Sequence, residues 1–436
     1  MTNAPASPTP RPSGWLDRKV LGWALYDWAN SAFATTVMAG FFPVFYKQHL
    51  RAGVEPTAST FELGMFNAAA GLVVVLMAPA LGAMADMGRA KKPMLGLCAG
   101  FGVAATAALG FAGDNGWLLA GGLYAAGVIG FSTANIFYDA LIVEVSGGRR
   151  TDTISAFGFA LGYLGGGLLF AINVVMTLKP AWFGLPDSAA AVRLSFVTVA
   201  VWWALFSLPL LLLVPARPAR KGPGLLKTMR MGMVRIGRTV AGLSRMKNIG
   251  IFLVAYYFYI DGVSTIIKMA VDYGLALGFP ATSLILALLI VQFVGFPAAI
   301  AFGWLGERVG TRRAILAGLG IYIAITIWGA GMTCERDFYL LAVAVGCVQG
   351  GVQSLSRSLF ARLIPPRKSA ELFGFYNMMG KFATLLGPVL VGVTARLTGS
   401  SRLSILSITV LFLAGGALLM FVREQASEDD TARFAA

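Results

Sequence analysis

Long apolar stretches alternate with short polar ones along the whole chain, and twelve of the apolar stretches are long enough to cross a bilayer as helices. None shows the strict apolar–polar alternation of a half-buried strand. A helix is also the only open structure that satisfies its own backbone groups in lipid. The predicted spans, each placed to within about four residues, are 20–46, 62–85, 93–112, 117–140, 153–177, 194–214, 248–273, 281–304, 313–333, 338–361, 372–395 and 402–422.

The composition supports this all-α membrane fold class. Hydrophobic residues make up 57% of the 436 residues, charged residues only 13%, and the mean hydropathy is +0.74. A soluble chain of this length does not bury that much apolar surface, and a disordered chain is far more polar. The first apolar stretch is too long for the core of a signal peptide, so it is interpreted as an uncleaved first span.

The longest polar stretch, 215–247, divides the predicted spans into two sets of six. We therefore predict a tail (1–19), an N-terminal six-helix half (20–214), a linker (215–247), a C-terminal six-helix half (248–422) and a second tail (423–436). The linker carries nine Lys and Arg residues and no acid, with apolar residues at roughly helical spacing. It is predicted to be an amphipathic helix on the anionic inner leaflet, or else only an expression of the positive-inside rule.

The distribution of basic residues predicts the orientation. With the N-terminus in the cytoplasm, the cytoplasmic segments carry 25 of the 35 Lys and Arg residues and the outer loops carry seven. This asymmetry places both termini in the cytoplasm of a bacterial inner membrane. It also accounts for most of the net charge of +15 without any nucleic acid, because the basic residues are spread over many loops.

A short motif occurs twice, after the second and after the eighth span. Its glycine, its acid and its two basic residues recur at a constant offset of 221 positions, which indicates two duplicated halves. The glycine allows a tight turn, and the acid can cap a helix or pair with a base. One copy alone would fit an ordinary basic loop, but two copies in register favour a cytoplasmic gate. The predicted gate residues are Gly82, Asp86, Gly88, Arg89, Lys92, Gly303, Glu307, Gly310, Arg312 and Arg313.

These loops resemble the signature loop of the major facilitator superfamily, Gly-x-x-x-Asp followed by Gly-Arg-x-x-Lys. Gly88 comes one residue early, and the second copy has Glu307 for the Asp and Thr311 for the first Arg. The resemblance implies two pseudo-symmetric six-helix halves.

A narrower resemblance covers spans 1, 4–5, 7 and 10–11. The stretches 26–35, 158–166, 258–263 and 354–365 are similar to the "unknown major facilitator" family, which includes bacterial permeases and resembles the autophagy-related vacuolar amino-acid effluxers of fungi. That resemblance implies an amino-acid substrate. The chain departs from the family pattern at Asp139-Ala-Leu-Ile-Val-Glu144, where Asn-Ala-Leu-Leu-Pro-Asp is expected.

Ionisable and polar residues inside the spans are the candidates for function, because charge at membrane depth is costly. We predict a central cavity lined by spans 1, 4, 7 and 10. Asp27 or Asp261 would carry a proton or bind an ammonium group, and Arg357 or Lys381 would bind a carboxylate. The structural alternative is a set of salt bridges between helices. The candidate substrate or proton residues are Asp27, Asn30, Asp139, Asp261, Ser264, Lys268, Arg357, Asn377 and Lys381.

The sequence shows no residue pattern that is typical of an enzyme. One histidine and three scattered cysteines predict neither a metal site nor a Ser-His triad, and we expect no cofactor. The sequence predicts a monomeric secondary transporter that moves a small polar solute by alternating access, with protons as the candidate coupling ion. The alternatives are a permease for a larger solute, such as a cell-wall fragment, and a non-transporting receptor or scaffold.

Overall fold

Twelve helical spans form the protein in a computed structural model that describes residues 16–88, 90–113, 116–215, 246–276, 280–383 and 386–424. All regular structure in those ranges is helical. The predicted fold class is confirmed. Of the predicted linker, only 215, 246 and 247 lie within the described residues, so the amphipathic helix stays a prediction.

The spans are numbered here in chain order, and most are single helices. Span 1 is a continuous rod of α-, π-, α- and π-helical pieces, Arg18–Ala32, Phe33–Phe41, Phe42–Phe45 and Tyr46–Leu50. Spans 2 to 6 are Pro56–Gly88, Lys91–Leu109, Trp117–Ser146, Thr151–Leu178 and Ser188–Leu213. Spans 7 to 10 are Lys247–Ala276, Ala281–Val309, Thr311–Ala330 and Glu335–Leu363. Spans 11 and 12 each have two parts, Ser369–Phe382 with Leu386–Thr398, and Ser401–Ser407 with Thr409–Leu419.

Capping side chains set several of the helix starts. Asp17 accepts a hydrogen bond from the backbone N–H of Val20 at the start of span 1, and Asp187 accepts one from Ala190 at the start of span 6. Both acids therefore satisfy backbone donors that a helix leaves unpaired at its N-terminus.

Close backbone approach explains why span 5 is rich in glycine. A Cβ atom at Gly162 would lie 2.7 Å from the hydroxyl of Ser31, and one at Gly166 would lie 3.0 Å from the backbone oxygen of the same residue. Span 5 therefore packs directly against span 1, in the manner of small residues between membrane helices.

Three pairs of helices make the largest contacts between the two halves. Span 2 of the N-terminal half packs on the first part of span 11, and span 5 packs on spans 8 and 10 of the C-terminal half. Glycines allow the contact between spans 2 and 11: a Cβ at Gly374 would meet the backbone oxygen of Ala78 at 2.7 Å, and one at Gly82 would overlap the backbone oxygen of Ala370. Spans 1 to 6 and 7 to 12 thus form two bodies with a shared interface.

Candidate functional site

A cavity of about 360 Å³ lies between the two halves. Its walls come from spans 1, 4, 5, 7, 8, 10 and 11, so spans 5, 8 and 11 add to the four that the sequence predicts. The lining is polar and aromatic: three ionisable groups stand among six amide side chains and four tyrosines. The amide side chains are those of Asn30, Asn135, Gln292, Gln349, Gln353 and Asn377.

One arginine and two carboxylates form the charged part of the cavity. Nη1 of Arg357, on span 10, lies 3.2 Å from Oδ1 of Asp139 on span 4 and 3.5 Å from Oδ2 of Asp27 on span 1. Tyr138 donates a 2.9 Å hydrogen bond to Asp27, and Asn377 donates a 3.1 Å hydrogen bond to Asp139. The arginine thus joins the C-terminal half to both carboxylates of the N-terminal half.

Span 5 binds the other two nitrogens of the Arg357 guanidinium. Nε of Arg357 donates to the hydroxyl of Ser155 at 2.9 Å, and Nη2 donates to the backbone oxygen of the same residue at 2.8 Å. The guanidinium also lies over the rings of Phe159, Trp23 and Tyr138, at 4.4, 4.8 and 5.2 Å from their centroids. Only 3% of Arg357 is exposed, and stacked aromatic faces suit a weakly hydrated cation.

A second, apolar cavity of about 160 Å³ lies within the C-terminal half, beside the first. It is lined by aliphatic side chains of spans 7, 8, 9, 10 and 12, together with Phe338 and Met332. Gln292 and Gln349 line both cavities. Gln292 also donates a 2.9 Å hydrogen bond to Thr35 of span 1, across the interface of the halves. The two glutamines therefore stand between a polar and an apolar compartment.

Of the nine predicted substrate or proton residues, five line the central cavity: Asp27, Asn30, Asp139, Arg357 and Asn377. Asp261, Ser264 and Lys381 do not line it, and the side chain of Lys268 lies outside the part of the structure that is described.

Asp261 is completely buried at the break in span 11. Its Oδ2 accepts a 2.9 Å hydrogen bond from the backbone N–H of Gly387, at the start of the second part of that span, and its Oδ1 faces the hydroxyl of Thr265 at 3.4 Å. An acid in this position stabilises a helix N-terminus.

The repeated motifs lie at one end of the bundle, which we call the basic end. The first cluster there centres on Lys91, which lies 2.9 Å from Glu144 and 3.4 Å from Asp86. Lys91 also donates to the hydroxyl of Ser369 at 2.6 Å, and Asp86 accepts a 2.9 Å hydrogen bond from the backbone N–H of Glu371. Three charges of the N-terminal half thus hold the start of span 11.

The second cluster centres on Asp152, the second residue of span 5. Its carboxylate accepts from Thr311 at 2.7 Å and from Arg362 at 2.5 Å, and it also accepts from Ser358. The acid of the second motif, Glu307, accepts a 3.3 Å hydrogen bond from the backbone N–H of Thr153. The start of span 5 is thus held by side chains of the C-terminal half.

The other predicted gate residues have different positions. Gly82 and Gly303 lie at the interface of the halves, whereas Lys92 donates to the backbone oxygen of Val214 inside its own half. Arg312 donates to the backbone oxygens of Met420 and Val422 at the end of span 12. Gly310 has a left-handed φ of 95° and ends span 8. Gly88 is the last residue of span 2, Arg89 lies outside the described residues, and Arg313 is near the start of span 9.

Sequence reasoning missed several residues of these clusters and of the cavity wall. Lys91 belongs to the basic pair of the first motif but is absent from the predicted gate residues, and it makes the ion pairs with Asp86 and Glu144. Gln349 and Gln353 precede Arg357 at steps of four residues on one helix face, a pattern that could have been read as a polar stripe. The missed residues are Lys91, Glu144, Asp152, Ser155, Gln292, Gln349, Gln353, Ser358, Arg362 and Ser369.

Two six-helix halves around a polar central cavity define a secondary transporter of the major facilitator superfamily. Solved structures share the fold: the human organic anion transporter MFSD10 matches with a TM-score of 0.69 and 16% identity over 92% of this chain and 99% of that chain. The proton:xylose symporter XylE matches with a TM-score of 0.67 and 15% identity over 95% and 97%.

Within that superfamily, the chain belongs to the family described as "Vacuole effluxer Atg22 like", whose pattern matches residues 53–145 and 143–432. An uncharacterized MFS-type transporter of Bacillus subtilis (strain 168), YxiO, is 40% identical over 93% of this chain and 95% of its own length. Autophagy-related protein 22-1 of Penicillium rubens is 27% identical over 63% of this chain, and the match spans 49% of the fungal protein.

Proposed function

We propose that this protein moves a small neutral amino acid across the bacterial inner membrane by alternating access, with protons as the coupling ion. The observation that carries the proposal is the sharing of one buried arginine by two carboxylates in the cavity between the halves. The resemblance of the chain to amino-acid effluxers supports the class of substrate. The excess of basic residues at the basic end supports a cytoplasmic location for that end.

The charges of the cavity support a bound cation. Asp27 and Asp139 carry two negative charges when both are ionised, and Arg357 supplies one positive charge. A buried, unbalanced carboxylate is costly, and either a proton or the ammonium group of a substrate offsets it. Asp27 is the better acceptor, since it lies farther from the arginine than Asp139 does.

The carboxylate end of the substrate needs a different partner. Four contacts with Ser155, Asp27 and Asp139 already engage the guanidinium of Arg357. Of the remaining lining groups, the amides of Gln349 and Gln353 can donate hydrogen bonds without a second buried charge. We therefore assign them, rather than Arg357, to the substrate carboxylate.

The two cavities favour an amino acid with an apolar side chain. The central cavity is at the small end of the range for ligand pockets, about 300–1,000 Å³, which disfavours a cell-wall fragment. The adjacent apolar cavity can accept an aliphatic or aromatic group past Gln292 and Gln349. Its lining offers few polar partners, so a polar side chain would lose hydration there without compensation.

The test is uptake by proteoliposomes of purified protein, with a panel of radiolabelled amino acids and an imposed pH gradient. Wild type should accumulate at least one neutral amino acid under the gradient. Asp27→Asn should lose accumulation but keep exchange of labelled for unlabelled solute, since the amide cannot carry the proton. Asp187→Asn, which changes a helix cap far from the cavity, is the matched control and should behave like wild type.

Two results would overturn the proposal. If wild type neither accumulates nor exchanges any amino acid while its melting temperature shows that it is folded, the substrate class is wrong. If Asp27→Asn accumulates solute as wild type does, the proton does not travel on Asp27.

A further inference from the structure

The central cavity and the apolar cavity border each other at two side chains, Gln292 of span 8 and Gln349 of span 10, which line both. We call the space between these two side chains the passage. Since Gln349 is one of the amides assigned to the substrate carboxylate, an amino acid bound there carries its side chain beside the passage. A side chain that enters the apolar cavity from this position has to pass the amide of Gln292.

The side chain of Gln292 is held in place by the N-terminal half. Its Nε2 donates a 2.9 Å hydrogen bond to the hydroxyl of Thr35 on span 1, and only 6% of the residue is exposed. The base of the side chain packs against span 5, where a Cβ atom at Gly167 would lie 3.0 Å from the Cβ atom of Gln292. Both ends of the side chain are therefore constrained, and the amide turns away only if its bond with Thr35 breaks.

On the apolar side, a displaced amide finds no equivalent partner among the described residues. Apart from the two glutamines, Thr326 is the one residue in the described lining of that cavity with a polar side chain. Its hydroxyl already donates to the backbone oxygen of Tyr322 at 2.8 Å. A buried amide without its hydrogen bond is unfavourable, so a large side chain is buried in the apolar cavity only with loss of the bond between Gln292 and Thr35. A methyl group does not need the passage.

We propose that Gln292 is a specificity-determining residue that closes the passage to the side chain of the substrate, and that Thr35 is the positioning residue that holds its amide there. Leucine or phenylalanine reaches the apolar cavity only after displacing this amide, which lowers the preference for them relative to alanine. The role in specificity rests on the proposed function, whereas closure of the passage requires no substrate.

The first test is competition of unlabelled leucine with labelled alanine for uptake by proteoliposomes of the purified full chain. It measures the selectivity ratio, the affinity for leucine relative to that for alanine. Gln292→Ala removes the amide and should raise this ratio about tenfold or more. Thr35→Val keeps the shape of the side chain but cannot accept the hydrogen bond, and it should raise the ratio about threefold to tenfold. Ile300→Ala, on the exposed side of span 8, is the control for Gln292→Ala.

The positioning role of Thr35 is tested by a conservative variant and by a double-mutant cycle in the same assay. Thr35→Ser keeps the hydroxyl that accepts from Gln292 and should keep the selectivity ratio of wild type. In the Gln292→Ala background, Thr35→Val should have no further effect on the ratio, because the amide that it positions is gone. Melting temperatures report whether each variant is folded.

The second test reads the passage without substrate. Ala342→Cys places a thiol in the lining of the apolar cavity, in a chain whose three native cysteines are replaced by serine. Its modification by methyl methanethiosulfonate, a small uncharged reagent, should be about tenfold faster with Gln292→Ala, the same factor as for the loss of a buried hydrogen-bonded obstacle. Thr35→Ser should leave the rate unchanged. Val343→Cys, on the exposed side of span 10, is the control and should react equally in all backgrounds.

Each part of the inference has a result that would overturn it. An unchanged selectivity ratio in Gln292→Ala refutes the role in specificity, and an unchanged labelling rate of Ala342→Cys in that background refutes closure of the passage. The positioning role is refuted if Thr35→Ser behaves like Thr35→Val, or if the effect of Thr35→Val persists without Gln292. If wild type transports no amino acid, the proposed function is wrong, and the labelling rates still decide whether Gln292 closes the passage.

Discussion

Asp139 and Arg357 face each other at 3.2 Å across the interface of the two halves, and each stands five residues before a second charged residue on its own helix. The second residues, Glu144 and Arg362, belong to the two clusters at the basic end. Spans 4 and 10 thus each carry two charged residues five positions apart, one in the cavity and one at the basic end. Both charges are negative on span 4 and positive on span 10.

The buried charges should stabilise the fold only as a set. Arg357→Met leaves Asp27 and Asp139 without their cation, and we expect a loss of about 3–5 kcal/mol in the free energy of unfolding. Changing both acids to Asn in the Arg357→Met background should recover most of that loss, since no uncompensated charge remains. Thermal and denaturant unfolding in detergent would measure both. A triple variant that is less stable than Arg357→Met would contradict this account.

The close contact between spans 2 and 11 should depend on the lack of a side chain at Gly82. Gly82→Ala places a methyl group on the backbone oxygen of Ala370, so the basic end cannot close as observed, and transport should fall at least tenfold. Gly71→Ala on the same helix meets nothing within 4 Å and should leave transport unchanged, with a gain in helix stability of at most about 1 kcal/mol. Equal effects of the two substitutions on uptake would show that the contact does not matter.

Asp261 should act through the helix that it caps. Asp261→Asn keeps an oxygen that accepts from Gly387, whereas Asp261→Leu does not. We therefore expect Asp261→Asn to retain most transport. Asp261→Leu should lower the melting temperature and should abolish transport. Loss of proton-driven accumulation in Asp261→Asn, with exchange and melting temperature preserved, would instead assign the coupling proton to Asp261.

The apolar cavity should set substrate size. Ala342 lines it, so Ala342→Phe should fill it and should reduce uptake of amino acids with large apolar side chains tenfold or more relative to alanine. Val343, the next residue on span 10, has 38% of its surface exposed on the outside of the helix, and Val343→Phe is the control. Competition between labelled alanine and a series of unlabelled amino acids measures the ratio. An unchanged ratio in Ala342→Phe would mean that the side chain binds elsewhere.

The fold could be predicted from the sequence because bilayer thickness, helix rise and the placement of basic residues all act locally along the chain. The repeat also indicated where Asp86 and Glu307 would lie relative to the spans. What local patterns cannot supply is which intramembrane charges meet, since Asp27, Asp139 and Arg357 come from three spans far apart in the chain.

Other residues of the site cannot be recognised as functional from the sequence pattern alone. Asp152 looks like an ordinary acid in the first turn of a helix, and only the packing of span 10 against span 5 shows that its partners come from the other half. Ser155 and Gln292 are uncharged residues inside apolar stretches. Their importance follows from what lies opposite them, which is a property of the assembled bundle.

Opposite charges at corresponding places of spans 4 and 10 bear on how such a bundle can be built. In a dimer of identical halves, a residue near the two-fold axis meets its own copy, so the contact between Asp139 and Arg357 would become acid against acid or base against base. The observed ion pair requires two unlike halves. Because the two halves belong to one chain, each half always pairs with the other and never with a copy of itself. The residue at one position of span 4 can therefore have a charge opposite to that of the residue at the corresponding position of span 10.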